Sequence, residues 1–295
     1  MLAIIGGLGY FVFVTNGMPS RQIERYHATD LFTIQRPPEI QENSHGCFNA
    51  LPALFKIQLQ TGQMVGTQVH CQAERIEEVT IAVIGDSNAG QYAKDLSDHY
   101  GRSLLTIHSS GRPYIRNINH DAVSQEILDF LARQNNIKTV VLAHLGVQMT
   151  QGDSPSLSNL SRLTNPNYEL GLKQTIQTLE AAGKRVIWLG SIPILDFDPK
   201  SCHTRPFSLK QLTERCTITR AELRQTHRPY LEALKRIRAD MPNLEIVDAM
   251  DYLCDPEVCH AKKEGMILYA DKTHLNQYGS SLVAQPIIRS IDRSK

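Results

Sequence analysis

The chain has 295 residues, 41% of them hydrophobic and 21% charged, and carries a formal net charge of +1. That composition suits a globular chain with a substantial core, long enough for one large domain or two small ones. Near-neutral charge without a clustered Lys/Arg face argues against nucleic acid as a partner, and internal repeats and low-complexity tracts are not apparent.

In chain order, the first element is "MLAIIGGLGYFVFVT", residues 1–15, uncharged and mostly apolar. It falls short of the roughly 20 residues of a complete membrane span and lacks the basic leader and cleavage site of a secretory signal. It reads as the end of a transmembrane helix whose beginning is missing, with an uncleaved short anchor as the alternative. Residues 16–75 are polar and irregular, a linker or extension expected to pack onto the domain at 76–295.

From residue 80 onward the pattern alternates. Apolar runs at 80–84, 103–108, 138–145, 185–192 and 244–248 are near-continuous, as strands buried on both faces should be. Between them, Val123, Ile127, Phe130 and Leu131 fall at helical spacing, as do Leu172, Ile176 and Leu179, with Gly183 placed to end that helix. The longest helical pattern, 219–240, sets Leu223, Tyr230, Leu234 and Ile237 on one side, and Pro229 predicts a kink or break near residue 228. A last helix is predicted from about Leu275 to Asp292, with Pro286 inside it expected to disturb it too. Such alternation implies an α/β domain with a mostly parallel sheet covered on both faces. Reactive residues in these folds collect at the carboxyl ends of the strands.

Six cysteines fall into three local pairs, Cys47 with Cys71, Cys202 with Cys216, and Cys254 with Cys259. An even count at such spacing suggests three disulfides and an oxidising compartment. That would place the globular part on the non-cytoplasmic side of a membrane. Metal binding and buried free thiols are the competing readings. "CDPEVCH" sets His260 beside Cys259, but its spacing matches no common zinc knuckle.

Two stretches carry candidate chemistry. "TIAVIGDSNAGQY", residues 80–92, puts Ser87 just past the first strand, with the small residues Ala89 and Gly90 read as leaving room beside it. "ILYADKTHLNQYGS", residues 267–280, puts Asp271 and His274 three apart at the start of the final helix. A helical turn would bring both side chains onto one face. The carboxylate then accepts from one imidazole nitrogen and leaves the other to take a serine proton. Each stretch alone also suits an ordinary turn or helix cap. Of the other histidines His108, His144, His203, His227 and His260, His144 ends a buried strand and could border the site, but reads first as a satisfied core residue. Asp248 reads as the cap of the next turn, and Asp251 is no better as a triad acid. The insertion 195–218, bracketed by Cys202 and Cys216, reads as a solvated loop that could rim the site, with Arg205 and Arg215 available to an acidic sugar or headgroup.

"IGDSNAG" together with "DKTHLNQYG" resembles the SGNH/GDSL superfamily of serine esterases and acyltransferases, over about 79–290. The resemblance implies a three-layer α/β/α flavodoxin-like fold, with Ser87 as nucleophile, His274 as general base and Asp271 as third triad member. It implies an oxyanion hole from the Ser87 backbone N–H, Gly111 of "HSSGRP" and the fourth residue of "LGVQMT". There Gln148 stands where the family has Asn, and Met149 where it has Asp. No metal or bound cofactor is implied.

The apolar N-terminal segment, the polar linker, the cysteine pair before the "GDS" strand and the local pair in "YLCDPEVC" narrow the likeness. They resemble the periplasmic SGNH domain that follows the membrane-embedded acyltransferase-3 domain of bacterial O-antigen (lipopolysaccharide) O-acetyltransferases. That likeness implies a site on the periplasmic face of the inner membrane and an acyltransferase-3 partner domain earlier in one longer chain. It also implies acetyl groups drawn ultimately from acetyl-CoA, and a polysaccharide or lipid-linked sugar hydroxyl as acceptor. A carbohydrate O-acetyl esterase and a non-catalytic polysaccharide-binding module are the alternatives.

Overall fold

The computed structural model describes residues 69–117, 122–150, 166–202 and 215–293. The first strand, β1 (Val69–Gln72), is an edge strand that precedes the predicted alternation. Then come β2 (Ile81–Gly85), α1 (Ser87–Gly90), α2 (Ala93–Tyr100), β3 (Leu104–Ser109), α3 (Ala122–Arg133), β4 (Thr139–Ala143) and α4 (Gly146–Thr150). The second half contains α5 (Tyr168–Ala181), β5 (Arg185–Leu189), β6 (Thr217–Thr219), α6 (Arg220–Thr226), α7 (Arg228–Asp240), β7 (Glu245–Val247) and α8 (Met250–Leu253). It closes with β8 (Val258–His260), β9 (Lys262–Lys263), β10 (Met266–Ile267) and α9 (Gln277–Asp292).

The six-stranded sheet runs β1-β3-β2-β4-β5-β7, parallel except where β1 pairs antiparallel with β3. Numbered among themselves, the five parallel strands have the order 2-1-3-4-5 of flavodoxin-like folds. Every residue of β2 and β4 is buried, which explains their unbroken apolar runs. Helices cover the two faces as two sets, α3 with α5 and α5 with α7 in one, α2 and α8 against α9 in the other. Fully burying side chains such as Ile84, Val141 and Ile187, each 0% exposed, contributes about 1.5–3 kcal/mol apiece.

The break predicted near residue 228 falls at His227, which ends α6 and begins α7, with Pro229 in the first turn of α7. There a missing N–H costs nothing. Pro286 does not interrupt α9. Burial of Val283, Ala284, Ile287 and Ile291 offsets the roughly 3 kcal/mol that an interior proline costs. Residues 1–15 and most of 16–75 lie outside the described residues; the last part of that segment supplies β1. Among the described residues no helix is long and apolar enough to cross a membrane.

Disulfides join Cys202 to Cys216 and Cys254 to Cys259, with Cα–Cα distances of 5.4 and 3.8 Å. Cys71 is also disulfide-bonded; Cys47, its expected partner, is outside the described residues. The two described disulfides adjoin one small ladder, β6 paired antiparallel with β8.

Candidate active site

The Ser87 side of the candidate site is shaped by a close backbone approach. A Cβ at Gly85 would lie 1.6 Å from the Ala143 carbonyl oxygen, so β2 can end beside β4 only with glycine there. Asp86, extended, then caps α1: its Oδ1 accepts the Asn88 N–H at 2.8 Å while its Oδ2 accepts the Leu145 N–H at 2.8 Å. One buried carboxylate thus ties the Ser87 turn to the loop after β4. Burial raises the Asp86 pKa to about 6, against the pull of those two hydrogen bonds and the nearby His274. Ser87 is the first residue of α1 and is half-buried.

The space beside Gly90 is not substrate space, contrary to the reading from the sequence. A Cβ there would meet the His108 ring at 2.6 Å, so Gly90 lets α1 settle on β3.

Asp271 and His274 do not share a helical turn. The final helix starts later, at Gln277, capped by the Asn276 side chain, and residues 270–274 form a tight turn closed by the Ala270 N–H to the His274 carbonyl at 2.9 Å. The turn achieves what the helix was expected to do. His274 Nδ1 lies 2.9 and 3.0 Å from the two Asp271 oxygens, and Nε2 lies 2.8 Å from Ser87 Oγ, across 187 positions of sequence. An ionised Asp271 can only accept, which assigns the proton to Nδ1 and leaves Nε2 to accept from the serine hydroxyl. Partial desolvation raises the Asp271 pKa, but the His274 hydrogen bond and charge, with the Thr273 N–H and hydroxyl, outweigh it and hold the carboxyl at about 2. Those Thr273 donors are 2.7 and 3.0 Å from Oδ1.

The oxyanion-hole candidates flank the serine because β2 lies between β3 and β4. Gly111, with φ of +69°, sits in the loop after β3, and Gln148 sits in α4 after β4. In α4 the first three backbone donors are already engaged: Gly146 N–H to the His144 carbonyl at 2.9 Å, Val147 N–H to Ser191 Oγ at 3.4 Å and Gln148 N–H to the Leu145 carbonyl at 3.0 Å. Gln148 itself therefore has its side-chain amide left to donate.

The other candidates lie elsewhere. His144 is buried, Nε2 2.6 Å from the Tyr168 hydroxyl, and burial lowers its pKa to about 3. His227 is also buried and lowered to about 3; its Nε2 accepts the Ile194 N–H at 3.0 Å. His260 pairs with Asp255 at 2.8 Å. Asp248 caps the Met250 N–H at 3.1 Å and meets Arg238 at 3.2 Å.

Arg215 pairs with Asp196 and Glu222 at 3.0 and 2.6 Å, while His203 and Arg205 lie outside the described residues. The start of the 195–218 insertion does reach the Asp271–His274 turn, through the Leu195 N–H to the Lys272 carbonyl at 2.9 Å. Sequence reading did not assign Asp86 a role; its signal was an Asx residue directly between a buried strand and a helix.

A comparison with curated protein sequences returns no match. Among solved structures the chain is similar to the periplasmic domain of a lipopolysaccharide acetyltransferase from Salmonella ser. Paratyphi A, with 17% identity and a TM-score of 0.47, covering 72% of this chain and 83% of that one. It is also similar to a GDSL-like lipase from Bacteroides thetaiotaomicron, with 12% identity, a TM-score of 0.44 and coverage of 74% and 90%. A third is an acetyl-xylooligosaccharide esterase from Geobacillus, with 15% identity, a TM-score of 0.41 and coverage of 72% and 94%. Residues 59–289 match the family described as the SGNH domain fused to AT3 domains. The strand order, the Ser87 turn at the end of the central strand and that match over most of the chain agree: the chain belongs to the SGNH domain family found fused to AT3 domains.

Proposed function

We propose that this domain is a serine-dependent O-acetyltransferase that passes acetyl groups to a sugar hydroxyl of a cell-surface polysaccharide. The observation that carries the reading is the continuous hydrogen-bonded series from Ser87 Oγ through His274 to Asp271. Ser87 Oγ attacks the acetyl carbonyl as His274 Nε2 takes its proton. The negative charge on the carbonyl oxygen is met by the Ser87 and Gly111 N–H groups and the Gln148 amide. Collapse of that intermediate leaves acetyl-Ser87 and returns the proton to the leaving group. A sugar hydroxyl, deprotonated by His274, then takes the acetyl group and restores Ser87. Asp271 keeps the imidazole in the required tautomer and stabilises it while protonated.

The acetyl group would come from an AT3 domain, the partner to which this family is fused, and ultimately from acetyl-CoA. No metal or bound cofactor enters any step. Disulfides at Cys202–Cys216 and Cys254–Cys259 favour an oxidising location such as the periplasm, and the apolar segment at 1–15 is proposed as its membrane anchor. A second reading, carbohydrate O-acetyl esterase, uses the same groups with water as acceptor. It is favoured by the His274 side chain being 20% exposed, open to water as well as to a sugar.

The test is an activated acetyl ester with and without a polysaccharide or oligosaccharide acceptor, following free acetate, acetylated sugar and the acetylated Ser87 peptide. Transfer predicts an acetyl-Ser87 intermediate that acceptor diverts to sugar, and loss of about 10³-fold or more in rate in Ser87→Ala. Equal behaviour of wild type and Ser87→Ala would overturn the enzyme reading and leave a polysaccharide-binding module. Acetate release that no acceptor diverts would identify the esterase.

A further inference from the structure

One buried side chain joins the two halves of the site. Gln91 follows α1 directly and is 2% exposed. Its Oε1 accepts the Leu275 N–H at 2.8 Å, the peptide immediately after His274, and its Nε2 donates to Asn88 Oδ1 at 3.4 Å, one residue after Ser87. One turn further, Asp95 of α2 makes a second tie, accepting from Ser281 Oγ at 2.8 Å and Gln277 Nε2 at 2.9 Å. The two ties grip different things. Asp95 holds side chains at the start of α9, whereas Gln91 holds the main chain of the turn that carries the imidazole.

We infer that Gln91 is a positioning residue that sets His274 within reach of Ser87 Oγ. The kinetic consequence rests on the acyl-transfer proposal; the geometry does not. The His274 backbone is fixed on one side by its carbonyl, which accepts from Ala270 at 2.9 Å, and on the other by Gln91. Leu275 is fully buried, so its N–H cannot turn to water when Gln91 is lost. The peptide must shift to find another acceptor, and His274 shifts with it. Displacement of about 1 Å between reacting groups costs about 10²-fold in rate.

Gln91→Met keeps length and apolar bulk but removes the acceptor, and Gln91→Glu keeps an acceptor for Leu275. With an activated acetyl ester, Gln91→Met should lower kcat about 10²-fold with KM little changed, and Gln91→Glu should recover most of it. Asp95→Ala serves as the comparison: it should lower Tm by as much as Gln91→Met while leaving kcat within a few-fold.

A second readout needs no turnover. The His274 Nδ1 proton resonance, assigned by its loss in His274→Ala, should shift or broaden in Gln91→Met and stay in place in Gln91→Glu and Asp95→Ala. An unmoved resonance in Gln91→Met, or a kcat loss no larger than that of Asp95→Ala, overturns the inference. Absence of Ser87-dependent turnover in wild type would overturn the acyl-transfer proposal instead, and the resonance would still test Gln91.

Discussion

Asp86→Asn isolates the cost of holding a charge beside Ser87. In the folded chain Asp86 is 1% exposed and its pKa is raised from 3.8 to about 6. The folded state therefore binds this proton more tightly than the unfolded state does. Its stabilising contribution is fully present below pH 3.8 and is lost as pH rises through about 6. A shift of about two units corresponds to about 3 kcal/mol. Asparagine cannot ionise, so the variant escapes that loss.

It has a different cost, independent of pH. Its oxygen can accept only one of the Asn88 and Leu145 N–H groups, and its amide faces the other, a penalty of about 1–3 kcal/mol. Guanidinium unfolding of both proteins, disulfides intact and ionic strength matched, should show wild type ahead at pH 4. The gap should close or reverse by about 3 kcal/mol by pH 7. Parallel stability profiles across that range would refute the reasoning, because they would mean that Asp86 ionises alike in both states.

Three further outcomes are expected. Asp271→Asn should leave the fold intact and lower kcat by about 10³–10⁴-fold, because the imidazole loses the acceptor that selects its tautomer; steady-state kinetics beside an unchanged thermal transition checks this. Burial lowers the folded pKa of both His144 and His227 to about 3, so their contribution is present above the unfolded value of about 6.5 and is lost as pH falls toward 3. Acid unfolding should therefore begin below about pH 6, opposite in sign to the Asp86 effect, and should be shallower in His227→Gln; an unchanged acid limb would count against it. Replacing Cys202 and Cys216 together by serine should cost about 3 kcal/mol for a loop of this length, and an unaltered unfolding midpoint would show that this disulfide adds nothing.

Much of the fold was legible because its strands are buried on both faces. Near-continuous apolar runs marked β2, β3, β4, β5 and β7 to within a few residues, and Pro229 marked the break between α6 and α7. Pro286 misled, because burial of the α9 face overrides a local propensity that is weak by comparison. The edge strand β1 carried no such signal. It lies in polar sequence and becomes a strand by pairing with β3, a contact that local pattern does not encode. Gly90 was legible as a small residue but not for its reason, which is the His108 ring packed against it. Asp271 and His274 were legible as a pair, yet they are joined by a tight turn closed by the Ala270 N–H to the His274 carbonyl rather than by helical spacing.

The sequence by itself determined the residue types of the candidate chemistry, their placement at strand ends and the alternation that builds a parallel sheet, since each is written in short-range order and burial pattern. Only the tertiary structure decided that His274 reaches Ser87 across 187 positions, that Asp86 ties the Ser87 turn to the loop after β4, and that Gln91 ties the same turn to the peptide after His274. Those are distances between segments remote in the chain, and they follow from strand order and packing, which no local stretch contains.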